Sequence, residues 1–247
     1  MIDQMGKKIL HYAHMNCEEL NDDMRDSMLE LMQDNYVNVT KEQFIKDLSS
    51  KQFVGLLFDE MKKVRGFTTF AINPNNCGTE EYAVVFSGDT IISPQYWGTI
   101  ELIRGWCFSV ASMMKRFPNK VWYWFLLSKG HRTYMYLPLF FDKYYPCVDG
   151  DANEQAELFS LLELLSEKIY PSLYVKGSGI IRFPGDGGEL KEELAKGTFE
   201  KSNKKHVKWF LEKNPRFYLG DELICLCKID TNNMRGFAKE FLSQNLS

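Results

Sequence analysis

In the run SPQYWGTIEL, Ser93 to Leu102, a glutamine, two aromatics and a glycine stand where an apolar strand-like stretch gives way to an amphipathic helix-like one. A helix N-terminus exposes backbone N–H groups and partial positive charge, so a glycine there lets a phosphate approach the backbone closely. Gln95, Tyr96, Trp97, Gly98, Thr99 and Ile100 thus form a candidate anion loop, with an ordinary tight turn as the alternative. SKGHRTY gathers Lys129, His131 and Arg132, cations suited to an acidic ligand or to a solvated helix entry. Other chemistries find less support. GDGG, 185–188, lacks the Lys-Ser/Thr ending of a P-loop, and no Gly-x-Ser-x-Gly elbow marks a serine hydrolase. The six cysteines include no Cys-x-x-Cys pair and none has zinc-finger histidine spacing, so reduced thiols and no metal site are expected. The HYAH pair, His11 and His14, would share a helix side but fall on opposite faces of a strand.

The elements around these residues follow from periodicity. A first strand is expected over Ile9 to Met15, then a helix from a capping box at Asn16 and Glu19 through about Asn35, and a shorter helix capped by Thr40 and Gln43. FVGLLF, VRGFTTFAI and EYAVVF, separated by short turns, predict an antiparallel meander. Gly88 and Pro94 should bend the chain after the third of these strands, with Asp89 between Gly88 and Thr90 suited to an Asx turn. Ile100 to Met114 then recurs at helical spacing, and VWYWFLL, Val121 to Leu127, reads as a central strand buried on both faces. Strand, crossover helix and buried strand make a right-handed parallel unit, whose carboxyl end is where such sheets bind ligands. Beyond it come a helical stretch interrupted by Pro138, a long helix over Asp151 to Tyr170 and a strand over Gly177 to Phe183. Two short helices, a strand over Glu222 to Ile229 and a closing helix complete the order.

Composition bounds the function. Lys and Arg number 30 against 33 Asp and Glu, so any anion site is local and a broad nucleic-acid footprint is excluded; KSNKKHVKW reads as one solvated helix face. No apolar run reaches a membrane span or a secretory leader, which reads as a cytoplasmic protein without a membrane partner.

The element order resembles the GNAT N-acyltransferase superfamily, and Gln95, Tyr96, Trp97, Gly98 and Thr99 fit its pyrophosphate loop, with Ile100 replacing the usual small residue. The resemblance covers roughly Lys8 to Pro146. It implies an α/β (α+β) fold with a mixed, mostly antiparallel sheet, a splayed parallel strand pair and flanking helices. Residues 1–247 would form one domain, a core of about 8–146 with a C-terminal helical elaboration and closing strands over 147–247. It further implies acetyl-CoA or another acyl-CoA as cosubstrate, and transfer of the acyl group to a small-molecule or peptide amine by direct attack. Lys129 and Arg132 would contact the CoA 3′-phosphate. FFDKYYP resembles the stretch that carries the family's general-acid tyrosine, but Phe141 stands at that position. Tyr134, Tyr136 and Tyr144 are the nearby substitutes, with Tyr134 nearest the buried strand's end; Glu80, Glu81 and Asp89 are the candidate bases. A binding protein that keeps the fold without acyl transfer is the alternative.

Overall fold

The computed structural model describes residues 10–73, 82–183 and 188–247. The order begins β1 (His11–Asn16), α1 (Asp22–Asn35), α2 (Lys41–Ser49), β2 (Phe53–Phe58), β3 (Val64–Asn73) and β4 (Tyr82–Ile92). It continues α3 (Glu101–Arg116), β5 (Val121–Ser128), α4 (His131–Tyr134), α5 (Tyr136–Phe140), α6 (Ala152–Ile169), β6 (Tyr174–Val175) and β7 (Ile180–Ile181). Then come α7 (Glu192–Phe199), α8 (Lys205–Lys213), β8 (Glu222–Lys228) and α9 (Gly236–Leu246). The strands form one sheet in the order β1-β2-β3-β4-β5-β8-β7-β6. Every neighbouring pair is antiparallel except β4 and β5.

Local chemistry sets most of these boundaries. Thr40 caps α2 by accepting from the Gln43 N–H at 3.1 Å. The Asn16–Glu19 capping box forms too, with Asn16 N–H donating to Glu19 at 2.8 Å, but it opens only a 3₁₀ turn over Cys17–Glu19. The α-helix starts later, at Asp22, because Asn21 supplies a second cap to the Met24 N–H. In the carboxyl-terminal hundred residues β7 and β8 fall within the strands expected over Gly177 to Phe183 and Glu222 to Ile229, and β6 adds a further short strand at the edge of the sheet.

Helices cover both faces. On one, α1 and α2 bury Met28, Leu31 and Phe44 against Val54, Leu56, Phe67 and Ile91, while α6 sets Leu162 and Leu165 on Phe125, Ile224 and Leu226. On the other, α3 and α9 enclose Trp106, Val110 and Leu242 with Val85, Trp122, Trp124, Cys225 and Cys227. β5 is therefore buried from both sides, which is why its apolar run shows little alternation. Each such side chain stabilises the fold by roughly 1.5 to 3 kcal/mol. Two glycines fix where α3 lies: the Tyr12 ring fills the space that a Cβ at Gly55 of β2 or Gly105 of α3 would take. The Tyr12 hydroxyl completes this junction with the Ser109 hydroxyl at 2.7 Å. A mid-helix glycine costs roughly 1 kcal/mol, which this close approach explains.

Candidate functional site

The parallel pair opens partway along. β4 and β5 are in register from Tyr82 and Val121 to Ser87 and Leu126, and there the pairing ends. Immediately beyond, Asp89 and Thr90 oppose the single residue Thr68 of β3, a bulge in which Asp89 takes φ +28°. The extra residue reverses the alternation of β4. Phe86 and Gly88 face the α1/α2 side, and Ile91 returns to it, three residues after Gly88 instead of two or four.

A cavity lies on each face of the gap. The one towards α1 and α2 measures about 570 Å³ and is walled by Tyr36, Asp47, Lys51, Phe86, Asp89, Lys129, Tyr170, Phe183 and Glu222, among others. The one towards α3 holds only about 10 Å³ among Thr68, Leu102, Ile103, Trp106, Trp124, Leu126 and Tyr136. Thr90 and Thr133 border both, so only the gap in the sheet divides them. Thr90 is held there by hydrogen bonding to the Thr68 hydroxyl at 2.9 Å.

Charge is concentrated on the open side. Asp89 has its carboxyl pKa raised, because surrounding protein removes it from water and Asp47 adds negative charge, while Lys51 and Lys129 act in the opposite sense. Glu222 is raised for the same first reason, although Lys129 sits 3.2 Å away. Lys129 also donates to the Gly188 carbonyl at 2.8 Å and lies 4.9 Å from the Tyr36 ring centre. Burial raises the Tyr36 and Tyr170 hydroxyls well above the ordinary tyrosine value, with Glu222 and Asp89 adding to it.

At the other face, Gly98 adopts φ +85° between a 3₁₀ turn over Pro94–Tyr96 and the start of α3, a left-handed conformation that a branched residue resists. Gln95 and Trp97 are exposed there; the Trp97 indole donates to the Ile92 carbonyl at 2.9 Å. The Arg132 guanidinium lies 3.9 Å from the Trp97 ring centre. The Thr99 hydroxyl accepts from the Glu101 N–H at 3.2 Å, so the loop caps part of its own helix. Ile100 packs its side chain towards the core, which keeps it from crowding the backbone of Gly98 and Thr99.

An antiparallel meander feeding a bulged strand, a crossover helix and one parallel neighbour that splays away decides the fold. It is GNAT-like. No protein-family profile matches the sequence, and no curated protein does, but solved structures are similar in fold. A GNAT-family N-acetyltransferase from Escherichia coli in complex with CoA is 12% identical over 50% of this chain and 63% of its own, with a TM-score of 0.35. N-acetylglutamate synthase from Neisseria gonorrhoeae, complexed with coenzyme A and N-acetyl-glutamate, is 11% identical over 63% of this chain and 33% of its own, TM-score 0.38. The NatC complex bound to Gag peptide and CoA is 10% identical over 90% and 99%, TM-score 0.41. This chain thus spans less than two thirds of the first two, and such identities concern the fold alone.

Within the GNAT-like frame several expected residues change place. Tyr134 is fully buried and donates to the Pro146 carbonyl at 2.8 Å, on neither cavity wall, so it is not placed to donate a proton at the gap. Tyr136, two residues on, lines the α3-side cavity instead, and burial pushes its hydroxyl up to about 12. Phe141 is also buried, against Trp106 and Trp124. Lys129 and Arg132 part company: residues 125, 127 and 129 share the α1/α2 face, whereas Arg132 reaches Trp97 beside α3. Lys129 therefore belongs with Glu222 rather than with the Gly98 turn. The Tyr96 ring is buried beside Leu10, Leu57 and Leu102, leaving only its backbone for a ligand. Asp89 lies in the bulge and on the cavity wall rather than in a solvated turn. Glu80, Glu81 and most of GDGG lie outside the described residues. Glu222, Tyr36, Tyr170 and Phe183 were not anticipated; the one hint was a glutamate opening the mostly apolar ELICLCKI. Among the described residues, no cluster of three metal-ligating side chains and no helix long and apolar enough to cross a membrane occurs.

Proposed function

We propose that the protein is an acyl-CoA-dependent N-acyltransferase of the cytoplasm, acting on an amine that enters from the α1/α2 side. The observation that carries this reading is the gap between β4 and β5, with the left-handed turn at Gly98 on one face and, on the other, an open cavity walled by Asp89, whose carboxyl pKa is raised. Gly98, Thr99, Ile100 and Arg132 fit a pyrophosphate, because the glycine brings backbone close and the guanidinium supplies charge. Acetyl-CoA is the acyl donor we favour. The gap holds donor and amine together, which removes much of the entropic barrier to attack.

Asp89 accepts the ammonium proton, since its raised pKa brings it nearer to a proton-sharing range with an amine than an ordinary aspartate. The free amine then attacks the thioester carbonyl; as the tetrahedral intermediate collapses the C–S bond breaks, the departing thiolate takes a proton from Tyr136, and the excess proton left on nitrogen restores Tyr136, so amide, CoA thiol and the one proton held by Asp89 are the products. The 10 Å³ slot must widen for an acyl group to pass. That closed slot also favours a second reading, a binding protein of the same fold that moves no acyl group. Calorimetric titration with acetyl-CoA and a nonhydrolysable CoA analogue tests both. Micromolar binding of both, with free CoA released from acetyl-CoA when an amine is present, supports the enzyme; binding without release supports the second reading. No binding at millimolar ligand overturns the enzyme.

A further inference from the structure

The walls of the open cavity also constrain which amine it takes. Phe86, Tyr170 and Phe183 form a continuous aromatic surface, with ring centres 6.3 Å apart at each step and Phe183 nearly perpendicular to Tyr170 at 84°. Cations already lie over aromatic rings of this cavity, Lys51 at 5.2 Å over Phe86 and Lys129 at 4.9 Å over Tyr36. The carboxylates differ in how they are satisfied. Glu222 is engaged by Lys129 at 3.2 Å, and the exposed Asp47 accepts from the Gln43 amide at 2.9 Å. Among the described residues Asp89 has neither a cation nor a side-chain donor at hydrogen-bonding distance; besides its own backbone N–H it feels Lys51, Lys129, Asp47 and Glu222 across space. One half-buried acceptor beside an aromatic wall suits one ammonium on a flat apolar group. A polycation would meet Lys46, Lys51 and Lys129 on the same walls.

Resting on the acyl-transfer reading for its consequence, though not for its geometry, we propose that the acceptor is a small aromatic monoamine, its ammonium at Asp89 and its ring along Phe86, Tyr170 and Phe183. A volume of about 570 Å³ is ample for such a molecule. Gly88 lets the Phe86 ring and the Lys51 side chain close over the cavity floor, since a Cβ there would meet them at 3.0 and 3.2 Å.

Calorimetry on the full chain without acyl-CoA tests this directly, using phenethylamine and tryptamine against butylamine, spermidine and phenylalanine. The aromatic amines should bind at least about tenfold more tightly than the other three, the scale of one good aromatic contact or charge-assisted hydrogen bond. Asp89→Asn should cost about the same factor for phenethylamine, and Tyr170→Ala should narrow its lead over butylamine. Thermal melts confirm that each variant is folded, and Phe183→Ala at the cavity rim stands in if Tyr170→Ala is not. Equal affinities throughout, or preference for spermidine or for the zwitterion phenylalanine, would overturn the proposal. Tight aromatic-amine binding without acyl transfer would keep it and remove the enzyme reading. Acyl transfer confined to non-aromatic amines would do the reverse.

Discussion

The two faces of the gap are built differently although the same two strands border both. Towards α3, every lining residue lies between Thr68 and Tyr136, and the surfaces are apolar and nearly in contact. Towards α1 and α2, the lining runs from Met32 to Glu222, carries charge of both signs and leaves room for a ligand. The side we propose for the donor is thus a local product of the segment from β3 to α5. The side we propose for the acceptor needs the carboxyl-terminal region, which supplies Tyr170, Leu173, Phe183, Gly188 and Glu222. A fold can therefore keep one half of its site while rebuilding the other through segments added at the edge of the sheet.

The strongest way to break this comparison is truncation after Pro146. It removes β8, which pairs with β5 from Tyr123 to Ser128, and strips Ile224, Cys225, Leu226 and Cys227 from both cores. We propose that the chain is one cooperative domain, so the fragment should be insoluble or lack a cooperative thermal transition. The buried Leu223, Ile224, Leu226 and Ile229, at roughly 1.5 to 3 kcal/mol each, together approach the whole stability of an ordinary domain. A soluble fragment with a sharp melt would make the donor side an independent unit.

Asp89→Asn separates the faces by function. Turnover should fall by roughly 10² to 10⁴, the usual contribution of a general base, with CoA affinity unchanged in titration. The melting temperature should rise, because the variant no longer holds a charge away from water. The linkage has a definite sign: a folded-state pKa raised above the unfolded value means that the native state binds more protons, so this carboxyl's contribution to stability falls as pH rises through the window between the two. Glu222 acts in the same direction. Catalysis runs oppositely, since the base must be ionised, and kcat should decline as pH drops through the raised Asp89 pKa. A wild-type rate flat through that range would remove Asp89 as the base.

Gly98→Val probes the donor side alone. At φ +85° a β-branched residue is strained by at least roughly 1 to 2 kcal/mol, and the turn should shift its backbone enough to weaken CoA binding by more than tenfold while circular dichroism stays native. Unchanged CoA affinity would remove the anion loop from the site.

Smaller effects sharpen the assignment. Tyr136→Phe should lower turnover about tenfold or more with little change in CoA affinity, as expected when a general acid is lost. Tyr134→Phe should leave turnover intact and lower stability by about 0.5 to 1.5 kcal/mol, the net worth of its hydrogen bond to Pro146. Equal turnover losses in both variants would instead indicate positioning by packing. Least of all, Gln95→Ala at the exposed turn should weaken CoA binding by no more than about 1.5 kcal/mol.

Much of this protein is determined by its sequence alone. Strand-length apolar runs with short turns dictate the meander from β2 to β4; unbroken apolar and aromatic composition makes β5 central; Gly98 is required by its own turn. These features depend on local propensity and periodicity, which need no knowledge of distant neighbours. The faces of the later residues were partly legible too: period two sets Lys129 with Phe125 and Leu127, apart from Arg132 in the following helix. Only the tertiary structure decided which carboxylate is desolvated and which tyrosine reaches the gap. Glu222 meets Lys129 because β8 inserts beside β5, across more than ninety intervening residues, and Tyr134 donates to the buried Pro146 carbonyl while Tyr136 lines the cavity. A carboxylate's proton affinity and a hydroxyl's access depend on what surrounds them in space, and that surrounding is assembled from segments whose meeting no spacing along the chain records.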